Sequence, residues 1–301
     1  MRWKGRQGSS NIEDRRRMGT PAKVGGGGIL SILLIVVVAL VLGENPLKLL
    51  NAVGPVPPAA VQNEIENAEG SNDEATERLI AAQAEAREFV GVVLKDTEDV
   101  WKRLLPDQLG KTYREPKLVL FTGEVKSACG GASSAVGPFY CPGDSKVYLD
   151  LSFFEEMRTK FKAPGDFACA YVVAHEVGHH IQNLLGFSMR VQQLQRRARS
   201  KTESNQLSVR LELQADLLAG IWAHHAQLQK GILEEGDLEE AIRAANQIGD
   251  DTLQRQATGR VVPDAFTHGT SAQRIRWFTR GLRTGDLEDL KLPFDLDYDE
   301  L

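Results

Sequence analysis

Asp166-Phe-Ala-Cys-Ala-Tyr-Val-Val-Ala-His175-Glu176-Val-Gly-His179-His180-Ile-Gln-Asn-Leu-Leu-Gly186 is the stretch from which the rest of the chain can be read. Pro164 and Asp166 are helix-start signals and Gly186 is a stop, so the pattern predicts one helix across it. The run is strongly apolar, as expected of a buried helix. Yet His175, Glu176 and His179 sit inside it. Uncompensated polar side chains are costly in such surroundings, so the three need a common partner. His175 and His179 are four apart and leave one face a turn apart, a separation that one divalent ion can bridge. Glu176 is swung about 100° around the axis, where it can reach a water on that ion without ligating it. This is the His-Glu-x-x-His pattern of metal-assisted hydrolysis, with the glutamate as general base. His180 lies off the ligand face and reads as a supporting or surface residue.

A catalytic zinc takes a third protein ligand and leaves one position open. The metzincin extension would need glycine and histidine where this chain has Gln182 and Leu185, so that class is excluded. A carboxylate from a later helix is the alternative. Leu211-Glu212-Leu-Gln-Ala-Asp216-Leu-Leu places two carboxylates four apart among apolar neighbours. Glu212 is the expected third ligand. Asp216 is expected to accept a hydrogen bond from a ligand imidazole and fix its tautomer. His224 and His225 end that helix, where cations are favoured for structural reasons. Further on, Thr270 or Ser271 can cap a helix running through Phe278, with His268 in the loop before it. His268 is a candidate catalytic residue, placed to polarise a carbonyl or stabilise an oxyanion.

Outward from this centre, a helix is expected from about Asp73 to Pro106, with a purely packing role. Leu118–Phe121 and Lys146–Asp150 read as strands, and residues 238–258 as two helices. Between the strands lies a Gly-rich segment holding Cys129 and Cys141, close enough to form a disulfide. Residues 133–150 could hold an extended substrate along a strand edge or be a plain hairpin. Cys169, in the apolar helix, reads as a buried small hydrophobe.

The chain has 301 residues and a net charge of -5, which argues against a nucleic-acid binder. From Gly25 to Gly43 no residue is charged, a stretch suited to a single membrane crossing. The basic residues Arg2, Lys4, Arg6, Arg15, Arg16, Arg17 and Lys23 precede it. By the positive-inside tendency, that end is expected in the cytoplasm and the rest on the periplasmic or extracellular side.

With these residues in hand, the chain resembles the bacterial family of neutral zinc metallopeptidases. The resemblance rests on Met1-Arg-Trp-Lys-Gly-Arg, Ser-Asn-Ile-Glu-Asp-Arg15, Gly-Pro-Phe-Tyr-Cys-Pro142, His-Glu-Val-Gly-His-His-Ile-Gln182, Glu212-Leu-Gln-Ala-Asp216 and Phe-Thr-His-Gly269. It implies a site similar to the gluzincin arrangement of thermolysin-like enzymes, with His175, His179 and Glu212 as zinc ligands and Glu176 as base. The expected fold is mostly α with a small β element, a zincin-like domain on a single-pass N-terminal helix. The expected organisation is a basic cytoplasmic segment 1–24, a transmembrane helix 25–43, a linker 44–72, a metallopeptidase domain 73–285 and a solvated acidic tail 286–301. The expected reaction is zinc-dependent hydrolysis of a peptide or protein. The rival expectation is an inactive, zinc-stabilised envelope binding or scaffold protein.

Overall fold

In the computed structural model, which describes residues 1–16 and 73–301, the chain opens with a short strand, β1 (Ile12–Asp14), and a long helix, α1 (Asp73–Leu109). Strand β2 (Lys117–Phe121) leads to a hairpin of β3 (Glu124–Ser127) and β4 (Gly130–Ser133), then to β5 (Phe139–Cys141) and β6 (Lys146–Asp150). The remainder is helical: α2 (Ser152–Thr159), α3 (Asp166–Leu185), α4 (Phe187–Gln195), α5 (Lys201–Lys230), α6 (Asp237–Gln247), α7 (Asp250–Thr258), α8 (Ser271–Thr284) and α9 (Leu292–Asp295). The fold is therefore mostly helical with a small sheet, an α+β architecture.

Leu118, Val119 and Leu120 of β2 are completely buried, the reading expected of an inner strand of a parallel sheet. The sheet order is β1-β2-β6-β5. β1 and β6 run parallel to β2, and β5 closes the edge antiparallel to β6. The helices pack by close backbone approach. A Cβ on Gly220 of α5 would lie 2.1 Å from the Phe278 carbonyl oxygen of α8, and one on Gly281 of α8 would lie 2.1 Å from that of Leu217. Only glycine fits at that crossing.

Two boundaries differ from those expected. Residues 1–16 are no separate basic segment: Met1 and Trp3 are buried, β1 is hydrogen-bonded into the sheet, and these residues share one compact unit with Ala86–Leu301. The C-terminal residues are no solvated tail either. Leu287, Leu290 and Leu301 are buried, so the apolar positions between the acids decide their placement. The 25–43 run and the 44–72 linker lie outside the described residues. Among the described residues no helix is long and apolar enough to cross a membrane.

Candidate active site

Helix α3 is buried along nearly its whole length, from Phe167 to Gln182. Its N-cap is Gly165, at φ 125°, where a Cβ would lie 2.0 Å from the carboxyl carbon of Glu240. Glu240 accepts from the Phe167 N–H at 3.0 Å, so α6 supplies the cap that α3 lacks. Gly186 ends the helix in the left-handed conformation. A Cβ on Gly178 would lie 3.0 Å from the Ala215 carbonyl oxygen, so α3 and α5 touch backbone to backbone beside the two histidines.

That contact brings His175, His179 and Glu212 together. Their ligand-capable atoms all lie within 4.8 Å of one another. Glu212 Oε2 is 3.1 Å from His175 Nε2, and Glu212 Oε1 is 3.5 Å from His179 Nε2. The far side of each ring is fixed. His175 Nδ1 donates to Asp216 Oδ1 at 2.8 Å, since an ionised carboxylate can only accept. His179 Nδ1 donates to Gln182 Oε1 at 2.8 Å, and Gln182 Nε2 donates to the Leu211 carbonyl at 2.6 Å. Both Nε2 atoms are thereby left as lone pairs facing a carboxylate. Acceptors converging on acceptors need a cation or extra protons between them. Two imidazoles and one carboxylate are a zinc donor set, so the residues fit that ion. In the protein alone, burial works against a charged His175 ring, but Asp216 and Glu212 draw its pKa up to about 9. Burial likewise opposes an ionised Glu212, yet His179 and His175 hold its carboxyl well below the usual range.

Glu176 follows His175 on the helix and faces a cleft of about 730 Å³. Burial pushes its carboxyl above the ordinary range, against the pull of His179 and His175. Gly137, Phe139 and Tyr140 line one wall of the cleft, so the edge strand β5 borders it. His268 lines it too, half-exposed. Its Nδ1 sits 3.1 Å from Asp250 Oδ1, while the Thr267 and His268 N–H groups donate to Asp250 Oδ2 at 2.6 and 2.7 Å. The Asp250 bond raises the His268 pKa.

Several residues here had no role in the sequence reading. Arg274, 3% exposed, donates through Nε and Nη2 to Asp216 at 2.9 and 3.0 Å, and through Nη2 to the Tyr171 hydroxyl at 3.2 Å. Tyr171 donates to Asp216 at 2.6 Å. Asp216 is thus saturated by one imidazole, one phenol and one guanidinium. A signal existed: Arg274 shares the buried stripe of α8 with Trp277, Phe278 and Gly281, where a charge is out of place. Gln182 and Asp250 were missed as well. His180 acts as a tie. It bonds the Arg114 carbonyl through Nε2 at 2.6 Å and the Tyr140 hydroxyl through Nδ1 at 3.0 Å, and Asn183 donates to the same hydroxyl at 3.0 Å. His224 and His225 bond the Leu282 and Gly285 carbonyls, a structural role. Cys129 and Cys141 are joined as a disulfide with Cα atoms 5.8 Å apart, and Cys169 is buried.

A helix offering two imidazoles and a carboxylate base, with a second helix closing the donor set, is the arrangement of zinc-dependent hydrolases. The chain belongs to the family described as "Putative neutral zinc metallopeptidase", whose profile matches residues 1–291. It is similar to the uncharacterized protein YpfJ of Escherichia coli K12, 47% identical over 291 residues, covering 95% of this chain and 96% of that one. It is also similar to the uncharacterized protein Rv2575 of Mycobacterium tuberculosis H37Rv, 47% identical over 197 residues, 62% of this chain and 64% of that one. No solved structure matches the chain.

Proposed function

We propose that this protein is a zinc-dependent metallopeptidase that cleaves extended polypeptide at the cell envelope. The observation that carries the reading is the convergence of His175 Nε2, His179 Nε2 and Glu212, with Glu176 beside them in a cleft bordered by a free strand edge. His175, His179 and Glu212 would hold the ion. When bound, it supplies Lewis acidity at the scissile carbonyl and makes water acidic near neutral pH.

The chain's own groups perform the rest. β5, the edge strand among the described residues, would take the substrate backbone alongside it, which fixes direction without reading every side chain. Glu176 takes the proton of the attacking water and later delivers it to the leaving amine. Burial suits it to this task, because a raised carboxyl pKa makes a better base near neutral pH. His268, held by Asp250 at the rim of the cleft, would donate to the oxygen on which negative charge develops. Asp216 and Gln182 keep the two ligand rings turned inward.

The uncharged 25–43 run supports attachment to a membrane. The Cys129–Cys141 disulfide supports an exported, oxidising location for the domain.

The test is cleavage of a peptide library by the full chain loaded with zinc, beside Glu176→Gln. The expected result is stoichiometric zinc in both proteins and a loss of about 10²–10⁴-fold in rate for the variant, the usual contribution of a general base. Zinc in both with no cleavage by either would sink the peptidase reading and leave a zinc-stabilised binding module.

A further inference from the structure

We infer that residues 1–16 and the catalytic domain lie on the same side of any membrane the protein meets, in place of the split expected from the sequence.

The constraint comes from strand pairing. β1 pairs in parallel register with β2, Ile12 opposite Leu118 and Asp14 opposite Leu120. Backbone bonds continue on both sides: Leu118 N–H donates to the Asn11 carbonyl at 2.9 Å, and Arg15 N–H donates to that of Leu120 at 2.8 Å. Nearer the start, Ser9 N–H donates to the Gly91 carbonyl and Arg2 N–H to that of Ile232, both at 2.8 Å. Trp3 packs edge-on against Phe89 with ring centres 5.4 Å apart. These are contacts of a folded core, and a bilayer cannot separate their two halves.

Strands β1 and β2 are paired on one side, so a single crossing of a bilayer between them is incompatible with the fold.

The same geometry removes the reason for placing the N-terminus in the cytoplasm. Four of the seven basic residues that the orientation rule counts have carboxylate partners in the folded unit. Arg6 pairs with the buried Asp96, which also receives Lys230 at 2.8 Å. Arg15 pairs with Glu13, to which Lys146 of β6 also reaches at 3.0 Å. Arg16 pairs with Asp14, and Arg2 lies 3.8 Å from Glu234. Arg6 above all answers a buried carboxylate, so its charge has a role inside the fold. The split expected from the sequence, N-terminus inside and domain outside, is replaced by one shared compartment.

The test uses the full chain in its own cells, with cysteine placed at one exposed site in each part: Gln7→Cys and Glu288→Cys. The native cysteines stay silent, because Cys129 and Cys141 are paired and Cys169 is buried. Intact spheroplasts and permeabilised ones are treated with a membrane-impermeant maleimide. The inference expects both sites to react alike, either both before permeabilisation or both only after it. One site reacting before and the other only after would overturn it. Flotation with lipid vesicles, run in parallel, tests membrane attachment separately: a chain that stays with the soluble fraction refutes attachment, while the two sites still react alike.

Discussion

Asp216 shows how much a single residue depends on its neighbours here. It is completely buried, and its charge is tolerable because Arg274, Tyr171 and His175 all donate to it. Removing one partner of a buried pair strands the other, at a typical cost of about 3–5 kcal/mol. Arg274→Gln is therefore expected to lose about that much stability in denaturant titration. Zinc affinity, read by chelator competition, should fall about 10–100-fold, as for other residues that orient metal ligands. Arg274→Lys should not restore it fully, since lysine cannot make the paired bonds. At His268 the prediction is one of pH. Asp250 raises the folded-state pKa of the imidazole above the unfolded value. The ion pair therefore contributes fully below the ordinary histidine pKa of about 6.5 and fades as pH rises through the raised value. Denaturation of wild type and His268→Ala across pH should give two stability curves that draw together on the alkaline side. Curves that stay parallel would refute the pair.

Among the elements, the crossing of α5 and α8 is fixed by two glycines and that of α3 and α5 by one. Gly220→Ala would push a methyl group to 2.1 Å from the Phe278 carbonyl oxygen, a backbone atom that cannot swing aside. The helices must separate, at a cost of about 1–3 kcal/mol or more. Arg274 sits one turn before Phe278 on α8, so its bonds to Asp216 should loosen as well. The expected outcome is a lower Tm together with weaker zinc binding. A lower Tm with unchanged zinc affinity would mean that α8 does not transmit its position to the site. Strand β5 is tied to α3 through the Tyr140 hydroxyl, which both His180 and Asn183 reach. The strand that borders the cleft is thus held by the helix that carries His175 and His179.

At the scale of the whole molecule, both chain ends are structural. Removing residues 1–16 strips buried Met1 and Trp3 from the core and leaves the buried Asp96 with one cation fewer. Two large side chains at about 1.5–3 kcal/mol each account for much of the net stability of a typical domain, about 5–15 kcal/mol. A protein lacking those residues should unfold at markedly lower temperature in calorimetry, or aggregate. An unchanged Tm would refute the placement of β1. The zinc-ligand pattern was legible because it is local: residues four apart on an apolar helix must share a face, whichever fold surrounds them. The same logic found Glu212 and Asp216 on their own helix and left the cap of α8 to Thr270 or Ser271, of which Thr270 makes it. Arg274 escaped because its partners Asp216 and Tyr171 are 58 and 103 positions away and a helical period says nothing about them. The pairing of Arg6 with Asp96 was not legible either, because charge beside an apolar run looks the same whatever its distant partner.

The sequence by itself determined α1, α3 and α5 to α8, the two inner strands and which side chains could take a metal, since periodicity and burial act over a few residues; the short helices α2, α4 and α9 it did not show. Only the tertiary structure decided that α3 and α5 meet at Gly178, so that Glu212 faces the two imidazoles. It alone brought Arg274 behind Asp216, Asp250 behind His268, and β1 beside β2. Those pairings join positions far apart along the chain. They are set by how whole elements pack, and a helical or strand period carries no information about its partner.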